Sequence, residues 1–476
     1  MQHYELPLIA AGRLIEAADG GERYVFYNDD VEFAIPRLDD LSFQAIRDAD
    51  GIPLRNCSVN DIIGFLSRIG KLWRDDDYPL RRLLLDLGPK ATGESVDTYR
   101  HSLDLFIGLI STKAYLGDII DAELRNRLYL DEWVPYHNVY LRAEPLGRLL
   151  HIIVGNVPVA SVYSLVRGIL TKNVNIAKLP SRDVVTLSLF ARSFFDLAPE
   201  HPITKTTSVV YWDRNEDQWI DRFMDIAHGL CIWGGEKSVE IYKSKARIGV
   251  EVIEYGPKLG AQIIRWNEAD AGNLPIRVAH DIAVFDQEAC FCPQIIYLEG
   301  NIDSFIEALS EALERYTKIW PKGQYEVDHY AHMNYVKLAH LYKGGDVRAC
   351  ERLSWLIVKL PVGHDIALEH PLGRTIYVRP VHDVRECVQF LDCRNQTVGV
   401  DPIEVGHELK DALAERGVQR ISNIGYVDIP RLGLGHDGKY LDRLVRWAAL
   451  ERERDFNCKI YDVPYEEKLH NTLVAD

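Results

Sequence analysis

The sequence predicts an α/β protein of two principal domains, and three observations predict it. At 476 residues the chain is longer than one hydrophobic core usually fills. From Arg148 onward, short continuous apolar runs alternate with stretches of helical periodicity, the pattern of buried parallel strands joined by crossover helices. After Glu254 a second alternating series begins, which puts a domain boundary near residue 254. Hydrophobic residues make up 47% and charged residues 26%, an ordinary globular mixture with enough apolar side chains for both cores.

In chain order, the first ~140 residues read as mostly helical packing segments, such as Asp97 to Leu116 with its apolar residues at helical spacing. They suggest scaffold, not chemistry. Leu149 to Val154 is then a strand, Val159 to Leu170 a helix and Val174 to Ala177 a second strand, which together make a βαβ unit. A helix beginning near Ser181, which can cap it, leads to a strand at Ser208 to Tyr211. The alternation continues with a helix at Gln218 to Ala227, a strand at Leu230 to Trp233, a helix from Glu236 and a strand at Val250 to Ile253. The second series contains a helix through Val278 to Phe285, a strand at Gln294 to Leu298 and an amphipathic helix at Ile302 to Trp320. Lys439 to Arg452 reads as a helix with Leu441, Leu444, Val445 and Ala448 on one face, packing onto a domain or a partner subunit. The expected divisions are residues 1–253, scaffold plus nucleotide-binding domain, 254–438, a catalytic domain, and 439–476, a helix and tail.

The formal charge of −16 argues against general affinity for nucleic acid or an anionic membrane, so an anionic ligand requires a locally basic pocket. No stretch approaches the ~18 consecutive apolar residues of a membrane span. The N-terminus, with Glu5, lacks a basic-then-apolar signal pattern, and a cytoplasmic location is expected. Eight cysteines are too few for a disulfide scaffold, none lies in a CxxC pair, and no metal is expected. Cys290 and Cys292, with one residue between them, are read as two independent thiols.

Three distant segments suit a thiol chemistry on carbonyls. Gly155-Asn156-Val157-Pro158 directly follows an apolar strand, where the Asn156 amide can donate to a developing oxyanion; a plain turn before a helix fits the same residues. Glu254-Tyr255-Gly256-Pro257-Lys258 sets a carboxylate at a strand end, either a general base or a solvated turn residue. Asp286 to Gln294 places Cys290 before a buried strand, with its backbone N–H as a second oxyanion donor. A thiolate is the attacking form, and an ordinary cysteine with pKa ~8.5 needs a neighbouring base, cation or dipole to supply it.

With these residues in place, the chain resembles the aldehyde dehydrogenase superfamily over roughly residues 142–440, and most closely its LuxC branch of fatty acyl reductases of bacterial luminescence systems. Arg142 to Gly147 is similar to the superfamily's Glu-Pro-x-Gly lead into the first strand, and Gly155 to Pro158 stands where its Trp-Asn-Phe-Pro does. Glu254 to Lys258 is similar to Glu-Leu-Gly-Gly-Lys, and Gln287 with Cys290 resembles the Gln-x-x-Cys of the branch. The resemblance implies an aldehyde-dehydrogenase-like fold, a Rossmann-type cofactor domain plus an α/β catalytic domain. It also implies Cys290 as nucleophile, Asn156 as oxyanion donor and Glu254 as base.

For the cofactor, Lys178-Leu179-Pro180-Ser181 resembles the segment that contacts the adenosine ribose. Ser181 and Arg182 stand where NAD-preferring members carry an acidic residue, which implies NADPH because a carboxylate would repel a 2′-phosphate. Trp233 to Ser238, with Gly234 and Gly235, resembles the turn that brings the pyrophosphate to a helix N-terminus. Glu369 to Arg374 distantly resembles the superfamily's Glu-x-Phe-Gly motif, which implies that Glu369 meets the nicotinamide ribose. Gly435-His436-Asp437-Gly438 resembles a His-Asp-Gly segment of the branch and reads as a turn before the last helix.

The implied reaction is reduction of a long-chain acyl thioester, delivered as acyl-CoA or by a partner acyl-protein synthetase, to an aldehyde in a homo-oligomer. Such a reductase requires Glu254 shielded or turned away, because water activated there would hydrolyse the acyl intermediate. The alternatives are an oxidative aldehyde dehydrogenase and a catalytically silent acyl-binding scaffold.

Overall fold

The computed structural model describes residues 2–16, 21–28, 31–137, 139–361, 370–429, 431 and 433–451. The apolar runs after Arg148 become the centre of the first sheet, because strands buried on both faces require near-continuous Leu, Ile and Val. Its seven strands lie in the order Glu251–Tyr255, Gly229–Trp233, Arg148–Ile152, Val174–Lys178, Thr207–Val210, Leu8–Ala10 and Arg13–Ile15. The first five are parallel, and the N-terminal pair extends the sheet in antiparallel sense. From Arg148–Ile152 the chain winds outward through two strands, then returns to the other side of its starting strand at Gly229–Trp233. Such a reversal of strand order opens a crevice at the carboxyl ends, the usual ligand position in an open α/β sheet.

The chain leaves this sheet at Tyr255 and enters the second at Leu259. That sheet runs Asp346–Ala349, Leu356–Lys359, Thr375–Val381, Pro293–Glu299, Leu259–Arg265, Asn395–Asp401, Arg420–Asn423, parallel except at the Asp346–Ala349 edge. Successive side chains point to opposite faces, so Ile263, Val358 and Tyr377 bury on one side and Ile264, Ile357 and Ile376 on the other. Met333, Val336, Val405 and Leu409 cover the first face, and Val278, Ile282, Phe305 and Leu309 cover the second.

Several expectations are corrected. Among the described residues no helix precedes Asp40: Gln2–Glu5, Val31–Pro36 and Arg23–Asn28 form a small sheet of their own. Helices then follow at Val59–Arg74, Pro79–Thr92, Val96–Ser111 and Lys113–Leu124. The stretch Asp97 to Leu116 is thus two helices, parted at Thr112, whose backbone is extended at φ −103° and ψ 109°. Ser181 caps no helix, since the helix is Thr186–Leu197 and Asp183 accepts from Val185 N at 3.2 Å and Thr186 N at 3.0 Å.

The expected C-terminal helix is likewise a short 3-10 turn, Leu441–Leu444, followed by the strand Val445–Glu451. That strand pairs antiparallel with Val139–Pro145 over its whole length, and this pairing overrides the helical preference of its Ala, Leu and Glu residues. Residues 452–476 lie outside the described residues. Among the described residues no helix is long and apolar enough to cross a membrane, and no cluster of three or more His, Cys, Asp or Glu is placed to hold a metal ion.

Candidate active site

Cys290 sits in the loop between helix Leu274–Ala283 and strand Pro293–Glu299, and buried hydrogen bonds fix that loop. Asp286 and Gln287 both adopt left-handed backbone angles (φ 49° and 66°), unusual for residues with a Cβ, so neighbours must hold them there. Arg374 Nε pairs with Asp286 Oδ1 at 2.5 Å, and the two side chains are 0% and 5% exposed. The same guanidinium donates to the Trp320 carbonyl at 2.9 Å. Gln287 donates to the carbonyls of Pro293 (2.7 Å) and Thr375 (2.6 Å) and accepts from Thr375 N at 2.8 Å. Gln287 thus closes the loop onto two strands.

The loop presents Cys290 to a cavity of about 920 Å³ between the carboxyl ends of the first sheet and the amino ends of the second. Leu105, Phe106, Leu109, Phe285, Phe291 and Leu434 give it apolar wall, while Asn156, Gln396, His436 and Asp437 face it with polar groups. Cys292 instead packs with Val284, Phe285 and Ala289, 1% exposed, and burial drives its thiol well above the ordinary range. Burial, then the Asp437 carboxylate, pushes the Cys290 thiol up to about 12, against lowering by Gln396, its own backbone N–H and Arg420. The resting sulfur therefore carries its proton.

The groups around that proton come from the far end of the chain. The Cys290 thiol donates to Gln396 Oε1 at 3.4 Å and lies 3.8 Å from His436 Nε2. Gln396 Nε2 donates to Asp437 Oδ1 and lies 3.5 Å from His436 Nε2. His436 packs against Trp233 (ring centroids 5.1 Å) and Tyr255 (5.6 Å), which stack on each other at 4.0 Å. Its segment is pinned by Arg167, which donates to Lys439 O at 2.8 Å and pairs with Glu123 at 2.9 Å. The turn depends on left-handed Asp437 (φ 54°) and Gly438 (φ 65°). Sequence reasoning gave His436 no chemistry and did not single out Gln396, because nothing local marks residues whose partner is 106 to 146 positions away.

Asn156 and Glu254 are placed differently. Asn156 lines the cavity with Cys290, and its Nδ2 donates to Glu288 O at 2.9 Å. An amide nitrogen has two hydrogens, so this bond orients the group and uses one of them. Glu254 faces away: along Glu251–Tyr255 it is Tyr255 that lines the cavity, and the Glu254 carboxylate pairs with Lys243 at 3.1 and 3.3 Å. Strand alternation is the reason, since neighbouring residues point to opposite faces. The Glu254 carbonyl accepts from Lys439 Nζ.

Residues 54–447 match the sequence profile of the family described as acyl-CoA reductase (LuxC). The chain belongs to that family. It is 33% identical over 467 residues to a protein of Photobacterium phosphoreum named long-chain acyl-protein thioester reductase, covering 97% of this chain and 94% of that one. Among solved structures it resembles an NADP-dependent enzyme of E. coli (TM-score 0.75, 14% identity, 94% and 98% of the two chains). An NAD-dependent aldehyde dehydrogenase of Sinorhizobium meliloti is similar at TM-score 0.73 and 14% identity, with 95% and 96% covered. The fold is that of the aldehyde dehydrogenases, as the resemblance of the motifs implied.

In this member of the LuxC family, Gly234 and Gly235 line the cavity at the crevice where strand order reverses. Gly234 (φ 159°) and Gly235 lead into helix Glu236–Lys245, and a Cβ on Gly235 would meet nothing within 4 Å. Open space at a helix N-terminus fits a pyrophosphate. Lys178 ends its strand with Nζ 4.9 Å from the Tyr211 ring centre and 5.9 Å from that of Trp212, and burial lowers its pKa to about 8. Ser181 is exposed. The Arg182 side chain turns toward the catalytic loop, donating to Thr92 O at 3.2 Å and pairing with Glu288 at 3.4 Å. Glu369 lies outside the described residues, while nearby Leu372 lines the cavity.

Proposed function

We propose that the chain reduces a long-chain fatty acyl thioester to the aldehyde with NADPH, by way of an acyl group carried on Cys290. The observation that carries this is a single cavity shared by the Cys290 sulfur, the Asn156 amide, an apolar wall and the glycines of a nucleotide-type crevice. The sulfur attacks the thioester carbonyl, Asn156 and the Cys290 backbone N–H hold the oxyanion, and collapse expels the carrier thiol. When bound, the reduced nicotinamide supplies a hydride to the acyl carbon. Asn156 then stabilises the second oxyanion, and cleavage of the carbon–sulfur bond frees the aldehyde and Cys290.

Glu254, which would otherwise activate water, is occupied by Lys243 outside the cavity, and this favours reduction over hydrolysis. Lys258 and Arg431 line the cavity of an otherwise acidic protein, which suits a carrier with anionic groups such as CoA or the arm of an acyl-protein synthetase. Exposed Trp133, Tyr136, Trp447 and Leu450 near the sheet built on Val139–Pro145 support a homo-oligomer, taken here to be cytoplasmic. The silent-scaffold alternative lacks support, since the reacting groups share one cavity.

The test is a nicotinamide absorbance assay. NADPH with tetradecanoyl-CoA is expected to lose absorbance with formation of tetradecanal; if only aldehyde with an oxidised nicotinamide turns over, and only to acid, the oxidative reading replaces this one. Asn156→Ala is expected to lower kcat by about 10²- to 10³-fold. Glu254→Gln should keep the rate within about threefold, measured in the same assay, as expected for a solvated ion pair.

Cofactor preference rests on Ser181 rather than Arg182, whose guanidinium is already engaged by Glu288 and Thr92. Ser181→Glu should shift the NADPH-to-NADH ratio of kcat/KM toward NADH by about tenfold, roughly 1.4 kcal/mol. An unchanged ratio would remove Ser181 from the 2′-phosphate site.

A further inference from the structure

The Cys290 proton needs an acceptor, and Glu254 is not positioned to be it. Gln396 and His436 are within reach, Asp437 touches both, and the hydrogen-bond roles of the three constrain one another. An ionised Asp437 can only accept, so its contact with Gln396 fixes the amide with nitrogen toward Asp437 and oxygen toward the Cys290 thiol. The same Gln396 nitrogen lies 3.5 Å from His436 Nε2, a ring nitrogen that can accept its second hydrogen in the tautomer that leaves Nε2 bare. In that tautomer the bare Nε2 is 3.8 Å from the Cys290 sulfur, and Asp437 Oδ1, 3.9 Å from the same nitrogen, is placed to meet the charge once Nε2 takes a proton.

We infer that His436 is the general base that takes the Cys290 proton and returns it to the departing carrier thiol, with Asp437 and Gln396 as positioning residues. This rests on the proposed acylation of Cys290. As Nε2 accepts the proton, the sulfur's electron pair forms the bond to the thioester carbon. Collapse breaks the carrier's carbon–sulfur bond, the carrier thiolate takes the proton from His436, and acyl-Cys290 and neutral His436 remain. After hydride transfer from the reduced nicotinamide, the Cys290 thiolate released with the aldehyde regains a proton from solvent through the same Nε2. One proton, two electrons and one thiol balance over the cycle.

The surroundings keep the imidazole neutral. Burial lowers its pKa, Asp437 opposes this, and Arg167, Lys439 and Arg420 lower it further, while Tyr163, Tyr255 and Cys290 complete the titratable groups against it. The base form is thus present at neutral pH and is lost as pH falls through a value below 6.5.

The experiment measures acyl transfer from radiolabelled tetradecanoyl-CoA to the full-length protein, without reductant, in the parent and in the His436→Gln, Asp437→Asn and Cys290→Ala variants. His436→Gln is expected to acylate about 10²- to 10⁴-fold more slowly. The parent rate should rise with pH to a plateau after one inflection below about 6.5. Asp437→Asn, which removes the charge that raises the imidazole and frees the Gln396 amide to flip, should slow acylation and move the inflection lower. Acylation by His436→Gln within about threefold of the parent overturns the inference. So does a parent rate that climbs tenfold per pH unit through pH 8, the signature of an unassisted thiol; this readout needs no variant to fold. If Cys290→Ala takes up label at the parent rate, the acyl-Cys290 proposal itself falls.

Discussion

Cys290→Ala is expected to reduce tetradecanoyl-CoA with NADPH on the order of 10⁴-fold more slowly than the parent, whereas Cys292→Ala should stay within about threefold. The two sulfurs are two residues apart yet have opposite surroundings. One faces the cavity among Gln396, His436 and Asp437; the other is sealed among Val284, Phe285 and Ala289. Loss of a covalent nucleophile removes the acyl intermediate altogether, while loss of a buried sulfur removes only packing. Steady-state NADPH oxidation by both variants checks the pair, and comparable losses in the two would mean that access does not decide between the thiols.

Arg374→Met should destabilise the fold by roughly 3–5 kcal/mol, because it strands a buried carboxylate. Asp286 is held by Arg374 Nε at 2.5 Å and accepts from Gly323 N at 2.8 Å, and Arg374 is 0% exposed. The pair also fixes the left-handed residues that begin the Cys290 loop, so acylation should weaken in parallel. The double variant Asp286→Leu/Arg374→Met, which removes both charges, should recover part of the stability lost in the single one. Urea denaturation midpoints measure both, and a shift below about 1 kcal/mol in the single variant would contradict the anchoring role.

How much was legible before the structure follows from what each signal depends on. The βαβ series from Arg148 was readable because doubly buried strands must be nearly all apolar, and Leu149 to Ile152 and Val174 to Ala177 are so except for His151 and Asn175, which hydrogen-bond to each other at 3.0 Å. Leu8–Ala10 was not, since three residues become a strand only by pairing with Thr207–Val210 far along the chain. Val445–Glu451 misled for the complementary reason: its helix-forming residues yield to a seven-residue partner strand. Asn156 and Cys290, singled out from short motifs next to apolar strands, line one cavity in the structure. Glu254 had the right motif, but the apolar run before it conceals which face of the strand meets the cavity, and alternation gives that face to Tyr255. His436 and Gln396 acquire meaning only through folding, which brings two separate segments to one sulfur.

The most direct measurement of the central claim is mass spectrometry of peptides from the intact protein after incubation with tetradecanoyl-CoA and no reductant. One tetradecanoyl group is expected on the peptide at Cys290, released as tetradecanal when NADPH is added. A protein that stays unmodified while reducing the thioester, or an acyl group on Cys292 or on a hydroxyl, would contradict it.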